Sequence, residues 1–339
     1  MNKSLLLASL LVLSTLLAGC GDSEDSSAEN EGTSGEGDIQ ELRLGHVWPS
    51  SELHAEAVQK FADEVDEITN GELSIEVYED GTLGDDTELL EGLRIGSADI
   101  WVGGAGVLTS ASDTAQIFTV PFMFDSQEHA NTIYNGQVGQ EITDTIIEDS
   151  GYNVLSYWPR GARWLTANQA VETPEDLQGL SIRVPDNPMF NKSFERMGAA
   201  PTPMNFGEVF TSIQQGVIDG QENPLSLIYN SRFQEVQDFL IETKHIREPI
   251  TVVMSDETLS SLSEEHQEVL QQAANGTAKE FAAEEVSTGE EEYAEMLQDE
   301  GMKIIEPEII EFQNELDGII EEEFSHLTDL YNKIRDAGE

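Results

Sequence analysis

The sequence predicts an α/β protein with two lobes and a cleft between them, and three observations support this fold class. Over residues 41–103, the apolar residues follow the order strand, helix, strand, helix, strand, which is typical of an α/β layer. The strand-rich pattern starts again after Gly151. The chain has 339 residues, of which 38% are hydrophobic, enough for two domains that each bury a core. We therefore expect a hinged pair of lobes with a ligand between them.

The first half of the chain carries five clear local signals. They predict a strand at 41–48, a helix at 53–68, a strand at 73–78, a helix at 85–96 and a strand at 98–103. The first helix has apolar residues at helical spacing and ends at Asn70-Gly71, whereas the segment LSIEVY alternates apolar and polar residues as a strand does. This order predicts a largely parallel sheet.

The second half carries more elements, several of which end at Gly or Pro. The expected strands are at 152–158, 163–169, 180–185, 217–224 and 250–255, and the expected helices are at 188–198, 206–216, 263–298 and 309–334. The strand at 217–224 is expected to run into a tight turn that carries Gln221 and Asn223. Asn275-Gly276 is a weak point in the long acidic helix.

The N-terminus has the pattern of a lipoprotein signal peptide. Lys3 precedes an apolar stretch that is too short to remain as a membrane-spanning helix. The stretch ends in LAGC (17–20), which resembles the lipobox of bacterial lipoproteins, where the thiol receives a diacylglycerol. We expect a signal peptide at 1–19, lipidation at Cys20 and a disordered acidic tether at 20–38. The mature protein is then extracytoplasmic and lipid-anchored, and an ordinary secretory signal is the alternative.

The chain is strongly acidic, with 67 Asp and Glu against 16 Lys and Arg and a formal net charge of −51. This charge argues against nucleic acid and anionic membrane surfaces as partners. The acids are spread from Glu41 to Glu339 and fall between the apolar positions. We therefore expect a folded protein with a carboxylate-covered surface, from a halophilic source.

Arg183 lies inside the apolar strand segment LSIRVP, where an unpaired buried charge would cost several kcal/mol. Its side chain can reach the surface, pair with an internal acid such as Asp219 or Glu222, or wait for an anionic ligand. Arg160 and Arg163 lie nearby in PRGARWLT, and a guanidinium presents a planar fork to both oxygens of a carboxylate. The residues alone leave a carboxylate site and an internal ion pair both open.

Other side chains near these arginines are further candidates for ligand contacts. Gln221 and Asn223 in DGQENP can hydrogen-bond an acid without adding charge. Trp48 and Trp164 lie beside expected cleft segments and could stack on a sugar ring, although core packing is the commoner role of tryptophan.

The sequence carries no clear signature of an enzyme or a metal site. HExxH, CxxC and P-loop patterns are absent, and the histidines are scattered. The segment at 79–86 lacks the alternating acids of a calcium loop. We expect no covalent chemistry, no cofactor and no metal ion. A lyase or hydrolase that uses Glu222 and His46 is the enzymatic alternative.

The segments GLSIRVP, GAAPTPM and GVIDGQENP occur in this order between residues 179 and 224. Together with LRLGHVW (42–48), GTLGDDTELLEGLRIGSADI (81–100) and VPFMF (120–124), they closely resemble the substrate-binding proteins of tripartite ATP-independent periplasmic (TRAP) transporters, of the dicarboxylate-binding, DctP-like type. The resemblance covers about residues 41–339. It implies a two-lobed, periplasmic-binding-protein-like fold with a hinge, a central cleft and a long helix that spans both lobes.

With this fold, we expect lobe I to comprise residues 39–160 and 249–288, and lobe II to comprise residues 161–248 and 289–339. The resemblance implies that Arg183 clamps the ligand carboxylate, that Arg163 is a second arginine of the site and that Asn223 hydrogen-bonds the ligand. It also implies that the loop from His46 to Glu52 lines the cleft. The predicted ligand-binding residues are Arg183, Arg163, Asn223, Gln221, His46, Trp48, Glu52, Arg160 and Trp164.

These observations predict an extracytoplasmic solute receptor that binds a C4-dicarboxylate or a related organic or sugar acid and delivers it to TRAP permease subunits. A uronate, a keto acid or the zwitterion ectoine are alternative ligands, although the presence of both Arg163 and Arg183 favours an acid over a zwitterion. A sensory ligand-binding module is the alternative from another functional class.

Overall fold

The computed structural model describes residues 39–337, which contain eleven strands and thirteen α-helices. The strands are β1 (Gln40–Gly45), β2 (Leu73–Tyr78), β3 (Ile100–Gly104), β4 (Tyr152–Trp158), β5 (Arg163–Ala167), β6 (Ser181–Val184), β7 (Ala200–Pro203), β8 (Gly220–Pro224), β9 (Phe239–Ile241), β10 (Ile250–Ser255) and β11 (Lys303–Ile305). The helices are α1 (Leu53–Thr69), α2 (Asp86–Ile95), α3 (Gln127–Tyr134), α4 (Gln137–Ser150), α5 (Pro188–Arg196), α6 (Val209–Gln214), α7 (Leu225–Asn230), α8 (Asp256–Ser261), α9 (Glu264–Ala274), α10 (Thr277–Asp299), α11 (Ile309–Glu315), α12 (Ile319–Glu323) and α13 (Thr328–Ala337). The expected signal peptide, the tether and Cys20 lie outside the described residues.

The strands form two mixed sheets, with the orders β2-β1-β3-β10-β4 and β11-β9-β5-β8-β6-β7. In the first sheet, β1 is parallel to β2 and β3, while β10 is antiparallel to β3 and β4. In the second, β6 is parallel to β7 and β8, while β5 is antiparallel to β8 and β9. The prediction of a largely parallel sheet is therefore only partly right. The reason is that β4 leads out of the first sheet and β10 leads back into it, so these two strands run in opposite directions.

The chain passes between the two sheets three times. The first crossing runs from β4 to β5 through residues 159–162, and the second runs from β9 to β10 through residues 242–249. The third runs from β10 to β11 and contains α10, which packs on α1 beside the first sheet and on α7 beside the second. This architecture confirms the predicted two-lobed α/β fold class and the helix that contacts both halves.

Side-chain caps fix where α2 and α5 begin. Asp85 Oδ1 accepts a hydrogen bond from the Glu88 amide at 2.9 Å, and Glu88 Oε2 accepts one from the Asp85 amide at 3.0 Å, which together form a capping box at the start of α2. Asn187 Oδ1 accepts a hydrogen bond from the Met189 amide at 2.8 Å at the start of α5. The expected strands at 73–78, 152–158 and 250–255 have the observed bounds of β2, β4 and β10.

Two expected helices are interrupted. The segment at 263–298 forms α9 and α10, which separate at Asn275-Gly276, and the Glu64 carboxylate caps α10 by accepting a hydrogen bond from the Thr277 amide at 2.9 Å. The segment at 309–334 forms α11, α12 and α13. Gly318, with a left-handed φ of 76°, separates α11 from α12, and Phe324, with a φ of −131°, ends α12 before the turn that leads to α13.

The segment VIDGQENP also differs from its prediction. Residues 220–224 form the strand β8, and the helix α7 follows directly at Leu225. Gln221 and Asn223 therefore lie within a buried strand and not on a tight turn. No helix within residues 39–337 is both long and apolar enough to cross a lipid bilayer.

Candidate ligand-binding cavity between the two sheets

A small cavity lies where the ends of the two sheets meet. Its volume is about 50 Å³. Its wall is formed by Val47, Trp48, Asp86, Gly104, Gly106, Val107, Arg160, Arg163, Arg183, Pro185, Phe190, Phe206, Asn223, Leu227 and Glu248. A larger and more open groove of about 650 Å³ shares no wall residue with it. The small cavity is the candidate site because the three predicted arginines converge on it.

Arg183, on β6, reaches the cavity with its guanidinium only partly satisfied. Its Nε and Nη2 both donate to the carbonyl oxygen of Met204, at 2.9 and 2.6 Å. The guanidinium lies 5.9 Å from the centre of the Phe206 ring. Within residues 39–337, Arg183 forms no ion pair, although its side chain is buried. Burial lowers the pKa of Arg183 to about 10, so it stays positively charged at neutral pH.

Arg163, at the start of β5, is by contrast fully engaged by the protein. Its Nε and Nη2 bind both carboxylate oxygens of Glu222, and Nη1 donates to Glu248 Oε1 at 2.9 Å. Nη2 also donates to Asn223 Oδ1 at 3.0 Å. Burial favours the neutral form of Arg163, but its pairing with Glu222 and Glu248 outweighs this and raises its pKa. Arg163 therefore holds other wall residues in place.

Glu222 lies behind the cavity wall as the main counter-ion of Arg163. Its side chain is 0% exposed, and its Oε2 also lies 3.2 Å from His245 Nε2. Burial alone would raise the pKa of Glu222, but the neighbouring Arg163 charge outweighs this effect and lowers the pKa to about 2. Glu222 is therefore an internal counter-ion, of Arg163, which is one of the roles that the sequence left open. The second candidate counter-ion, Asp219, accepts instead from the Ser181 amide at 2.8 Å.

Glu248, in the second crossing, is a wall residue that the sequence analysis missed. Its Oε1 accepts from Arg160 Nη1 at 2.6 Å and from Arg163 at 2.9 Å, and its Oε2 accepts from the Gly106 amide at 3.0 Å. It thus joins the second crossing to the first crossing, to the start of β5 and to the turn that follows β3. The segment around Glu248 has no helical or strand periodicity, so the only available signal was one acid between Arg247 and Pro249.

Asp86, the first residue of α2, is the second wall residue that the sequence analysis missed. Its Oδ1 accepts from Trp101 Nε1 at 2.9 Å. Burial raises the pKa of Asp86 to about 6, even though the charges of Arg160 and Arg183 act to lower it. From sequence, Asp86 looks like an ordinary acid in the first turn of a helix, and only the packing of α2 turns it toward the cavity.

The remaining predicted residues divide into two groups. Trp48 and Asn223 line the cavity. Gln221 does not line it, because its side chain bonds Thr166 at 2.9 Å and accepts from Asn223 Nδ2 at 2.6 Å. His46 does not line it either, because its ring packs behind Trp48, with ring centres 5.3 Å apart. Burial lowers the pKa of His46 to about 4, so the ring is neutral at pH 7.

Glu52 and Trp164 point away from the cavity and have other partners. Glu52 accepts from Ser226 Oγ at 2.8 Å and from Asn230 Nδ2 at 3.2 Å, so it joins the start of α1 to α7. The Trp164 ring packs in a core of the second half and donates to Glu290 at 3.3 Å. It faces opposite to its strand neighbour Arg163, because side chains alternate along β5. Neither position supports the predicted ligand contact.

Further polar contacts close the cavity between the two halves. Asn187 Nδ2 donates to the Gly106 carbonyl at 2.9 Å, and Asn205 Nδ2 donates to Asp85 Oδ2 at 2.5 Å. Outside this closure lies a second space of about 550 Å³, which we call the outer pocket. It is lined by Val47, Pro49, Asp80, Gly81, Asp85, Asn205, Phe206, Gly207, Glu208, Phe210, Asn230, Ser231, Arg232 and Phe233. Val47 and Phe206 separate it from the inner cavity, since they line both.

Comparison with known proteins agrees with this geometry. Residues 44–326 match the family described as bacterial extracellular solute-binding protein, family 7 (DctP). The sequence is 33% identical over 267 residues to the 2,3-diketo-L-gulonate-binding periplasmic protein YiaO of Escherichia coli, across 78% of this chain and 81% of that protein.

Solved structures with a similar fold contain bound sugar acids. A TRAP periplasmic solute-binding protein from Roseobacter denitrificans with bound L-galactonate has a TM-score of 0.84 and 33% identity, covering 88% of this chain and 99% of that one. A TRAP periplasmic solute-binding protein from Chromohalobacter salexigens with bound D-glucuronate has a TM-score of 0.82 and 30% identity, covering 87% of this chain and 99% of that one.

Proposed function

This chain belongs to the bacterial extracellular solute-binding proteins of family 7, and on this basis we propose that it captures a sugar acid outside the cytoplasm and delivers it to the permease of a TRAP transporter. The observation that carries the proposal is the Arg183 guanidinium, which is buried at the cavity and has no carboxylate partner within residues 39–337. A ligand carboxylate completes this pair. The relatives that bind L-galactonate and D-glucuronate support a sugar acid as the ligand.

Each wall residue then has a role that its contacts support. Arg183 binds the ligand carboxylate, and Trp48 offers an aromatic face to the carbon skeleton. Arg163 positions Asn223 through the hydrogen bond to its side-chain oxygen. Arg160 lines the wall, with one nitrogen held by Glu248. Gln221 acts from behind by accepting from Asn223.

Closure of the two lobes is the second part of the proposal. The lobes comprise residues 39–160 with 249–288 and residues 161–248 with 289–339, and they rotate about the crossings. The cavity wall takes residues from both halves, so a ligand that touches both stabilises the closed state over the open one. No covalent step is proposed. Glu222 is occupied by Arg163 and His245, and His46 lies behind Trp48.

The location follows from the family and from the N-terminal sequence. We expect the protein outside the cytoplasmic membrane, held by a lipid on Cys20 and by the tether at 20–38. The acidic surface fits a halophilic source. Mass spectrometry of the mature protein tests the anchor, because diacylglycerol on Cys20 adds a defined mass that a Cys20→Ser variant lacks.

A thermal-shift screen tests the ligand class. The panel contains aldonates, uronates, C4-dicarboxylates, keto acids and ectoine. We expect sugar acids to raise the melting temperature in a concentration-dependent way, without any product in the recovered ligand. Stabilisation by ectoine alone, or conversion of a ligand, contradicts the proposal.

A further inference from the structure

Six charged side chains lie in or directly behind the cavity wall, three guanidinium groups and three carboxylates. They are Arg160, Arg163, Arg183, Glu222, Glu248 and Asp86. Two of the carboxylates already neutralise two of the guanidinium groups through the ion pairs of Glu222 and Glu248. One cation, Arg183, is therefore left for a ligand, and one anion, Asp86, faces the cavity without an ion pair in the part of the chain that the structure describes.

Asp86 has one oxygen to spare. Its Oδ1 is held by Trp101 Nε1 at 2.9 Å, which fixes the carboxylate on the wall. The other oxygen can accept a hydrogen bond from a ligand hydroxyl, because a carboxylate has several acceptor positions. A second ligand carboxylate cannot satisfy this oxygen, because at neutral pH both groups carry negative charge and neither has a proton to donate.

We propose that this cavity selects monocarboxylate sugar acids and rejects aldarates, which carry a carboxylate at each end, and that Asp86 is the residue that makes this distinction. The inference rests on the proposed function. The first carboxylate binds Arg183, the one guanidinium that the protein leaves unneutralised. A second carboxylate finds every other guanidinium already paired and meets the charge of Asp86, at a site where an uncompensated charge is costly. Specificity thus comes from a repulsive element together with an attractive one.

The test compares two ligands with the same carbon skeleton, L-galactonate and galactarate. Calorimetric titrations at pH 8 keep Asp86 ionised. We expect the wild-type protein to bind L-galactonate at least about 100-fold more tightly than galactarate. In the Asp86→Asn variant this ratio falls by about tenfold or more, mainly because galactarate binds better. Asparagine keeps an acceptor for Trp101, and circular dichroism checks that the variant is folded.

A matched control separates the direct contact of Asp86 with the ligand from the electrostatic effect of a nearby negative charge. Asp80 lies in the outer pocket with a left-handed φ of 55°, a conformation that asparagine tolerates well. Asp80→Asn removes the same charge outside the inner cavity. Because galactarate carries twice the charge of L-galactonate, this variant should favour galactarate slightly, and the ratio should change far less than in Asp86→Asn.

The outcomes are distinct. Equal affinities of the wild-type protein for the two ligands, or an unchanged ratio in folded Asp86→Asn, overturn the selectivity inference and leave the receptor function intact. If no sugar acid of the thermal-shift panel binds, the proposed function fails and the inference fails with it. If Asp86→Asn does not fold, the wild-type ratio decides the selectivity, and Asp86→Ser takes the place of the asparagine variant in testing the role of Asp86.

Discussion

Arg183 directs two donors at one acceptor, since its Nε and Nη2 both point to the carbonyl oxygen of Met204. This contact fixes one edge of the planar guanidinium against the backbone and leaves Nη1 and the second Nη2 hydrogen available. A carboxylate can approach this free edge with both oxygens, as arginine geometry favours. Arg183 is therefore oriented before a ligand arrives, and its substitution should affect affinity more than folding.

The first prediction concerns Arg183→Lys and Arg183→Ala. An ammonium keeps the charge but offers no fork, so we expect Arg183→Lys to weaken sugar-acid binding by about 100-fold and Arg183→Ala to abolish measurable binding. Isothermal titration measures both. Arg43→Lys, in a half-exposed pair with Asp99, is the control and should leave affinity unchanged. Near-native affinity of Arg183→Lys would contradict the proposed geometry.

The second prediction concerns the buried pair of Arg163 and Glu222. Glu222→Gln leaves the Arg163 charge only partly compensated in a buried position, so the free energy of unfolding should fall by about 3–5 kcal/mol. Urea denaturation measures the loss. Glu141→Gln is the matched control, because its partner Lys333 is nearly half exposed, and surface pairs contribute little. Equal effects of the two substitutions would show that Arg163 does not depend on Glu222.

The third prediction concerns salt. The outer pocket carries the acids Asp80, Asp85 and Glu208, and Arg232 at its edge pairs with Glu235. An anionic ligand is therefore repelled as it approaches, and at about 1 M salt this field is screened beyond about 3 Å. Stopped-flow association rates should rise with added NaCl, the reverse of attractive steering. Rates that fall with salt would exclude this explanation.

The fourth prediction concerns Glu52, which joins α1 to α7 through Ser226 and Asn230. If the lobes move apart about the crossings, these hydrogen bonds break on opening. Glu52→Ala should then increase the ligand dissociation rate by about tenfold, as expected from the loss of about 1.5 kcal/mol. Glu56→Ala, on the exposed side of the same helix, serves as control. An unchanged dissociation rate would show that opening does not separate these residues.

The fifth prediction concerns pH. Burial lowers the pKa of His46 from 6.5 to about 4, so the unfolded state binds more protons between these values and His46 makes stability rise with pH. Burial raises the pKa of Asp86 from 3.8 to about 6, so Asp86 makes stability fall over nearly the same range. Each effect amounts to about 3 kcal/mol, and they oppose each other.

Substitution of either His46 or Asp86 should make the pH dependence caused by the other residue measurable. In Asp86→Asn, the free energy of unfolding should rise more steeply from pH 4 to 6 than in the wild-type protein, whereas His46→Gln should show a fall over the same range. The groups that face Asp86 are Arg160, Arg183 and Asp85, and the arginines do not titrate in this window. Parallel stability curves for wild type and Asp86→Asn would refute this.

Much of the fold follows from local sequence patterns. The strands predicted at 73–78, 152–158 and 250–255 have the same bounds in the folded protein. The break after α9 lies at Asn275-Gly276, where the sequence indicated a weak point, and the carboxylate of Glu64 caps the start of α10. The direction of β10 depends on its pairing with β3 and β4, which are distant in sequence. No periodicity within a short segment sets that direction.

The arginines of the site were accessible from sequence because a cation in an apolar strand needs a partner. Arg183 and Arg163 looked alike by this criterion, yet one is left for a ligand and the other is paired. The difference depends on Glu222 and Glu248, which approach from other elements. Glu52 was predicted from the position of its loop near the cavity, whereas the direction of its side chain, toward α7, depends on Ser226 and Asn230.

Glu248 lies in a connection between the two halves and binds the other connection through Arg160 as well as the strand β5 through Arg163. One carboxylate thus contacts both the arginines of the cavity wall and the connections between the two halves. If the lobes open about these connections as proposed, replacing Glu248 in a redesign for a new solute will change how often the empty protein opens as well as which ligand it binds. Trp48 and Asp86 line the cavity but do not belong to the connections between the halves. Substitutions at these two positions are therefore the better starting points for a biosensor with altered specificity.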